Sequence, residues 1–302
     1  MARSTRELIL NAWKAGTVVP ALNVPHLPMM EPIVAALRDT QTFGLIQVAR
    51  LEWEKFQAKS LKAIRDTYSQ VKDERYTRLH LDHVPVLDED NKRVDFEAII
   101  SEAAELGYGS VMVDGSRLPL AENIACTAKV VAIAYRAKLP VEAELGAVLG
   151  HEAGPLPPYD ELFASGKGFT DPVEAQRFVQ ETGVDWLSVA IGNVHGAISG
   201  AAKSQKKVEA RLNIEHLDRI RALTGVPLVL HGGSGIRKEY LLQAFRHGIA
   251  KINIGTALRQ AYEKAVPESA AAARQAVYDA TVTTMRDELE IAGSAKIINP
   301  GS

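Results

Sequence analysis

Eight short apolar runs recur along the chain, and they constrain its fold more than any other feature. They are Val18–Val24, Phe43–Ala49, Thr77–Leu81, Ser110–Val113, Leu139–Leu145, Trp186–Ile191, Pro227–Leu230 and Ala250–Ile254. Between them lie segments with helical spacing: Met30–Arg38, Lys55–Val71, Phe96–Leu106, Leu120–Ala137, Pro172–Thr182, Ile214–Leu223 and Lys238–His247. Strands that alternate with helices argue for a parallel sheet covered by those helices. Eight such units in 302 residues predict an α/β fold closed on itself, a (β/α)8 TIM barrel. A doubly wound open sheet is the alternative, and the lack of a Gly-x-Gly-x-x-Gly after the first strand weakens it.

Local signals support the alternation. Asp171-Pro172 reads as a helix cap followed by the first helical residue, and Asn213 before Ile214 reads the same way. Gly107, Gly183, Gly225 and Gly248 each close a helical stretch just before a strand. No stretch is rich enough in Pro, Gly or Ser to divide the chain, so residues 1–302 are expected to form one domain. The long loop Gly146–Thr170 follows a strand, and loops of that length in compact domains are usually functional or disordered. An alanine-rich segment, Ala270 to Ile291, predicts a C-terminal helical extension packed on the barrel or on a second subunit.

Composition narrows the function. The chain is 46% hydrophobic with a formal net charge of −2 and no long basic block, so no nucleic-acid footprint is expected. No apolar run is long enough to span a bilayer. Cys126 is the only cysteine, which excludes an internal disulfide and fits a reducing compartment. The stretch Met1 to Lys14 lacks the apolar core of a secretory signal, so a cytoplasmic location is expected.

In such a barrel the chemistry lies at the C-terminal ends of the strands. The stretch Arg78-Leu-His-Leu-Asp-His83 puts Leu79 and Leu81 on one face and His80 and Asp82 on the other, with His83 where strand becomes loop. Asp114 stands at the fourth strand and Glu142 and Glu144 at the fifth. Asn193-Val-His195-Gly196 follows the sixth, His231-Gly-Gly-Ser-Gly235 the seventh, and Asn253-Ile-Gly-Thr256 the eighth. His83, His195 and His231 thus reach one rim, and three imidazoles with an open position suit a catalytic zinc; singly, each reads as an ordinary hydrogen-bonded loop histidine. The glycine-rich turn at Gly232, Gly233 and Ser234, with a helix after it, reads either as an anion cradle or as a tight strand-to-helix turn. Glu142 and Glu144 share one face and need a cation or donors if buried, structural salt bridges being the plainer reading. Glu152, in the long loop, reads from spacing alone as a solvated carboxylate.

Taken together, these blocks resemble the class II, metal-dependent fructose-bisphosphate and tagatose-bisphosphate aldolases. The shared segments are His80–His83, Ser110–Ser116, Val141–Gly146, Val189–Gly196, Leu230–Gly235 and Lys251–Thr256, with Gly293-Ser-Ala-Lys near the end. The resemblance implies Zn2+ or another divalent metal on His83, His195 and His231, with Asp114 and Glu144 at positions that hold a second or displaced metal in some members. It implies Asp82 as the acid/base at the carbon–carbon bond and Glu152 as a loop acid that moves a proton on carbon. It implies a phosphate site at Gly196, Gly232, Gly233, Ser234, Asn253, Gly255 and Thr256, with a monovalent cation left open. A small-molecule sugar phosphate is the expected partner, and a homodimer or homotetramer the expected assembly.

The chain departs from the family pattern in two places. Val84-Pro85-Val86 replaces a glycine-led turn after the metal histidine, and Leu87–Asp95 reads as an insertion. The second strand ends in Gln47-Val-Ala-Arg50, where the family usually has a serine or threonine near the substrate. The expected reaction is zinc-dependent reversible aldol cleavage of a ketose (bis)phosphate to a dihydroxyacetone-phosphate-type enediolate and an aldehyde. Two alternatives stay open: an aldolase for an unphosphorylated or acidic sugar, whose anion Arg50 would pair, and a noncatalytic partner subunit.

Overall fold

The computed structural model describes residues 3–146, 158–193, 210–233 and 235–301. Its centre is a closed barrel of parallel strands in sequence order. The strands are β1 (Val19–Asn23), β2 (Gly44–Ala49), β3 (Thr77–Pro85), β4 (Ser110–Asp114), β5 (Val141–Leu145), β6 (Trp186–Val189), β7 (Leu228–Leu230) and β8 (Ile249–Ile254). The first and last pair directly, with Ala21 opposite Asn253, so no sheet edge is left open.

All eight expected strands are present. One boundary moved in a way that matters: β3 continues to Pro85. Its register against β4 shifts between Leu81 and Val84, so three steps on β3 span two on β4. That extra residue is a β-bulge, and His83 within it has φ of 33°. Positive φ at a non-glycine residue is strained and persists only where its surroundings enforce it. Strict alternation would aim Asp82 and His83 at opposite faces; the bulge lets both face the barrel mouth.

The helices follow the predicted spacing closely. Asp171 accepts from Val173 N at 2.8 Å and Glu174 N at 2.9 Å, and Asn213 caps His216 N at 3.0 Å. The expected Lys55–Val71 segment is instead two helices, Arg50–Lys55 and Leu61–Val71, so the first begins at the very end of β2. The long loop contains the helix Tyr159–Ser165. The insertion after β3 is a small antiparallel turn, with Leu87 bridged to Arg93 and Asp88 N donating to Lys92 O at 2.9 Å. The C-terminal helix Ala270–Thr283 continues into a wide turn, Thr284–Glu288, and packs on the helices Met30–Asp39 and Thr256–Ala265.

Two apolar clusters hold the barrel. The larger lies between strands and outer helices and takes Leu79, Leu81, Val111, Val113, Ile252 and Ile254. The smaller fills the barrel floor, where Val19, Phe43, Leu45, Trp186 and Val229 meet Leu8, Ile9 and Ala12 of an N-terminal helix, Thr5–Ala15. Ala295 and Ile298 of a short C-terminal helix join them. Leu79 and Leu81 facing outward leaves His80 and Asp82 inward, as alternation predicts.

Candidate metal and substrate site

Above the floor the interior turns polar. His80, Asp82, Glu142, Glu144, His231, Lys251 and Asn253 are all buried there. Burying that much charge is tolerable only if every group is paired. Lys251 Nζ lies 2.9 Å from Glu142 Oε2 and 2.7 Å from Asn253 Oδ1. Trp186 Nε1 donates to Glu142 Oε2 at 2.7 Å, and His80 Nδ1 meets Ser110 Oγ at 2.8 Å. Glu142 Oε1 sits 2.9 Å from His231 Nε2, which fixes that ring's orientation.

Two imidazoles converge over this layer. The ring centroids of His83 and His231 are 4.5 Å apart. His83 Nδ1 is 3.3 Å from Asp114 Oδ2, and Asp114 Oδ1 accepts from Ser116 N at 2.9 Å and Oγ at 2.6 Å. His231 Nδ1 is 2.9 Å from Glu144 Oε2. Ligand atoms of Asp82, His83 and His231 lie within 4.8 Å of one another, as do those of His83, Asp114 and Glu144.

The electrostatics suit a cation. Burial alone would suppress charge on His83, but Asp82, Asp114 and Glu144 outweigh it and raise its pKa to about 10. Burial and His83 both resist charge on His231, yet Glu144 and Glu142 push it up. The carboxylates that draw protons onto these rings would equally favour a divalent ion, and mixed imidazole and carboxylate donors suit zinc. The residues present therefore fit a metal. The expected third imidazole, His195, lies outside the described residues, as do Gly196, Glu152 and Ser234.

Asp82 is held by three side-chain amides. Its Oδ2 accepts from Gln47 Nε2 at 3.1 Å and Asn23 Nδ2 at 3.2 Å, and its Oδ1 from Asn253 Nδ2 at 3.0 Å. Burial favours its neutral form, but the charges of His83, Lys251 and His231 hold its pKa at about 2. Burial likewise opposes ionisation of Glu142, and Lys251 and His231 hold it well below the usual carboxylate range. Burial and Lys251 push His80 down to about 3, so it stays neutral.

Asp82, His83, His231, Asp114 and Glu144 thus meet as the sequence suggests. Asn253, expected at the phosphate, donates its Nδ2 to Asp82. The turns after β7 and β8 touch, with Gly233 N donating to Asn253 O at 3.3 Å. A Cβ on Gly233 would lie 2.7 Å from Ile252 Cδ1 and 3.0 Å from Asn253 O, so only glycine permits that approach. The helix that opens onto these turns is Thr256–Ala265, directly after Gly255; the one after β7 begins only at Lys238. Arg50 heads the helix at the end of β2, and its Nη2 is 2.6 Å from Glu54 Oε1.

Sequence reasoning passed over Asn23, Gln47, His80 and Lys251. A signal for Lys251 existed: Lys-Ile-Asn-Ile alternates, which puts Lys251 on the inward face with Asn253. Asn23 and Gln47 carried no comparable mark, because nothing in one strand says which residues its neighbours will present.

Comparisons with known proteins show the family and the fold. A family model described as class-II fructose-bisphosphate aldolase matches residues 3–296. A fructose-bisphosphate aldolase of Staphylococcus epidermidis is 33% identical over 268 residues, covering 88% of this chain and 85% of that protein. A Bacillus subtilis protein named a probable fructose-bisphosphate aldolase is 32% identical over 302 residues, covering 94% of this chain and 96% of its own length. The crystal structure of the YdjI aldolase from Escherichia coli superposes with a TM-score of 0.75 at 28% identity, covering 98% of this chain and all of that one. No helix among the described residues is long and apolar enough to cross a membrane.

Proposed function

Because the chain belongs to the class II fructose-bisphosphate aldolase family, we propose that it reversibly cleaves a ketose bisphosphate of the fructose or tagatose type. The products are an aldehyde and a dihydroxyacetone-phosphate-type fragment. The observation that carries this reading is Asp82, ionised and gripped by three amide donors, directly beside the paired rings of His83 and His231.

His83 and His231, with His195 as third ligand, would hold a divalent ion, which we take to be zinc. When bound it would supply Lewis-acid polarisation of the ketose carbonyl. Asp82 accepts the proton of the hydroxyl on the carbon that becomes the aldehyde. Asn23, Gln47 and Asn253 keep the carboxylate aimed while it does so. Lys251 and Glu142 hold the layer beneath, and Glu142 sets the His231 ring. Asp114 and Glu144 serve as further ligands or orient the rings. Glu152 is assigned the transfer of a proton to carbon in the other fragment. Its phosphate is assigned to Gly196, Gly232, Gly233, Ser234, Asn253, Gly255 and Thr256; the uncapped start of the helix Thr256–Ala265 supports this, since helix N-termini attract anions.

We also assign a cytoplasmic location, in keeping with the single buried thiol of Cys126, and a homodimer or homotetramer, which light scattering would check. The test of the reaction is chelation followed by metal return. Cleavage of fructose or tagatose bisphosphate should vanish and come back with Zn2+. Full activity after complete metal removal would refute the proposal.

A further inference from the structure

The loop after β2 holds a carboxyl that none of these steps uses. Glu52 is the third residue of the helix Arg50–Lys55, and although that helix is short and near the surface, Glu52 is only 9% exposed. Its Oε2 accepts the Ala49 N–H at 2.8 Å. Ala49 stands directly opposite Asp82 in the register of β2 against β3. The Glu52 carboxyl, held on the Ala49 N–H, therefore lies one strand over from the proposed base.

Two observations argue against a purely structural cap. An N-terminal cap is satisfied by an exposed glutamate, and needs no burial. In addition, Gln47, two residues before Ala49 on the same strand, directs its Nε2 at Asn23 Oδ1 at 2.7 Å and Asp82 Oδ2 at 3.1 Å. Both are acceptors, so the amide is oriented. Its Oε1 is then a buried acceptor with no partner among the described residues. Such a group is costly to bury and invites a donor. Burial raises the Glu52 pKa to about 8, partly countered by the Ala49 N–H and reinforced by Asp82. At neutral pH it is therefore largely a neutral acid, able both to donate and to accept, as a hydroxyl partner requires.

We propose that Glu52 is a specificity-determining residue whose carboxyl hydrogen-bonds a hydroxyl one or two carbons beyond the bond that is cleaved, on the aldehyde half of the sugar. This rests on the aldol reading above. Asp82 must meet the hydroxyl at the cleaved bond, and the register of Ala49 against Asp82 sets Glu52 beside it, toward the hydroxyls that follow.

The test is condensation of dihydroxyacetone phosphate, with Zn2+ present, onto glyceraldehyde and onto propanal, which has the same carbon count without hydroxyls. The wild-type protein should favour glyceraldehyde by kcat/KM. Glu52→Ala and Glu52→Leu should lower that preference on the order of tenfold, mainly through the KM of glyceraldehyde, as expected for one lost hydrogen bond, whereas Glu52→Gln, which can still donate, should keep most of it. Should the alanine variant fail to fold, the leucine variant, closer in size, carries the comparison. An unchanged preference in the alanine or leucine variant, or an equal loss with both aldehydes, would overturn the role of Glu52 while leaving the aldol reading intact. Failure of the wild-type protein to join either aldehyde would instead bring down the aldol reading, and this assignment with it.

Discussion

At the lower end of the barrel, Phe43, Leu45, Trp186 and Val229 pack against Leu8, Ile9 and Ala12 with no charge among them. Above that floor, largely on the neighbouring strands, the interior holds Asp82, Glu142, Lys251, His80 and His231, all buried. Trp186 marks the border: its ring lies in the apolar floor and its Nε1 donates upward to Glu142. The floor gains stability from every group it buries. The upper layer loses solvation for every charge and recovers it only through pairing, so its worth lies in geometry rather than stability. Substitutions in the two layers should therefore separate stability from catalysis.

The largest expected effect is in the upper layer. His231→Ala should abolish metal retention, read by elemental analysis, and reduce cleavage to background. Asp82→Asn should keep the metal yet lower kcat by about 10²- to 10⁴-fold, the usual contribution of a general base; a variant with normal turnover would break the proposed division. Phe43→Ala, in the floor, should cost roughly 3–5 kcal/mol of stability through the cavity it leaves, while kcat/KM below the melting transition stays unchanged. Lys251→Met tests the border from above: it strands Glu142 without its cation, at a cost of roughly 3–5 kcal/mol, and should impair catalysis as well by loosening His231.

The smallest effect sharpens the comparison through pH. Glu52 has its folded pKa raised to about 8 by burial, above its ordinary value of 4.5. The stability tied to its neutral form is complete below the ordinary value and is lost as pH rises through about 8. Glutamine cannot ionise. The Tm of Glu52→Gln relative to wild type should therefore climb between pH 5 and pH 9, by roughly 2–4 °C for each kcal/mol in a chain this size. A difference that stays level with pH would mean that Glu52 titrates normally.

How much of this was legible follows from the same contrast. Leu79 and Leu81 on one face, His80 and Asp82 on the other, are read from a period of two, and the structure keeps that division. The helix caps at Asp171 and Asn213 are local chemistry and came out as expected. Glu52 carried no such mark, because its burial depends on a helix that starts several residues earlier than its spacing suggests. Asn23, Gln47 and Asn253 come from three different strands, and their meeting at Asp82 exists only once β1, β2, β3 and β8 are aligned.

By itself the sequence determined the alternation of strands and helices, and with it the closed parallel barrel and the set of residues at strand ends, because periodicity and capping are properties of neighbouring residues. The tertiary structure alone decided how those ends converge. The bulge between Leu81 and Val84 turns Asp82 and His83 toward one mouth, and strand register brings Lys251 to Glu142. Register and bulges depend on packing between segments distant in the chain, which no local pattern encodes.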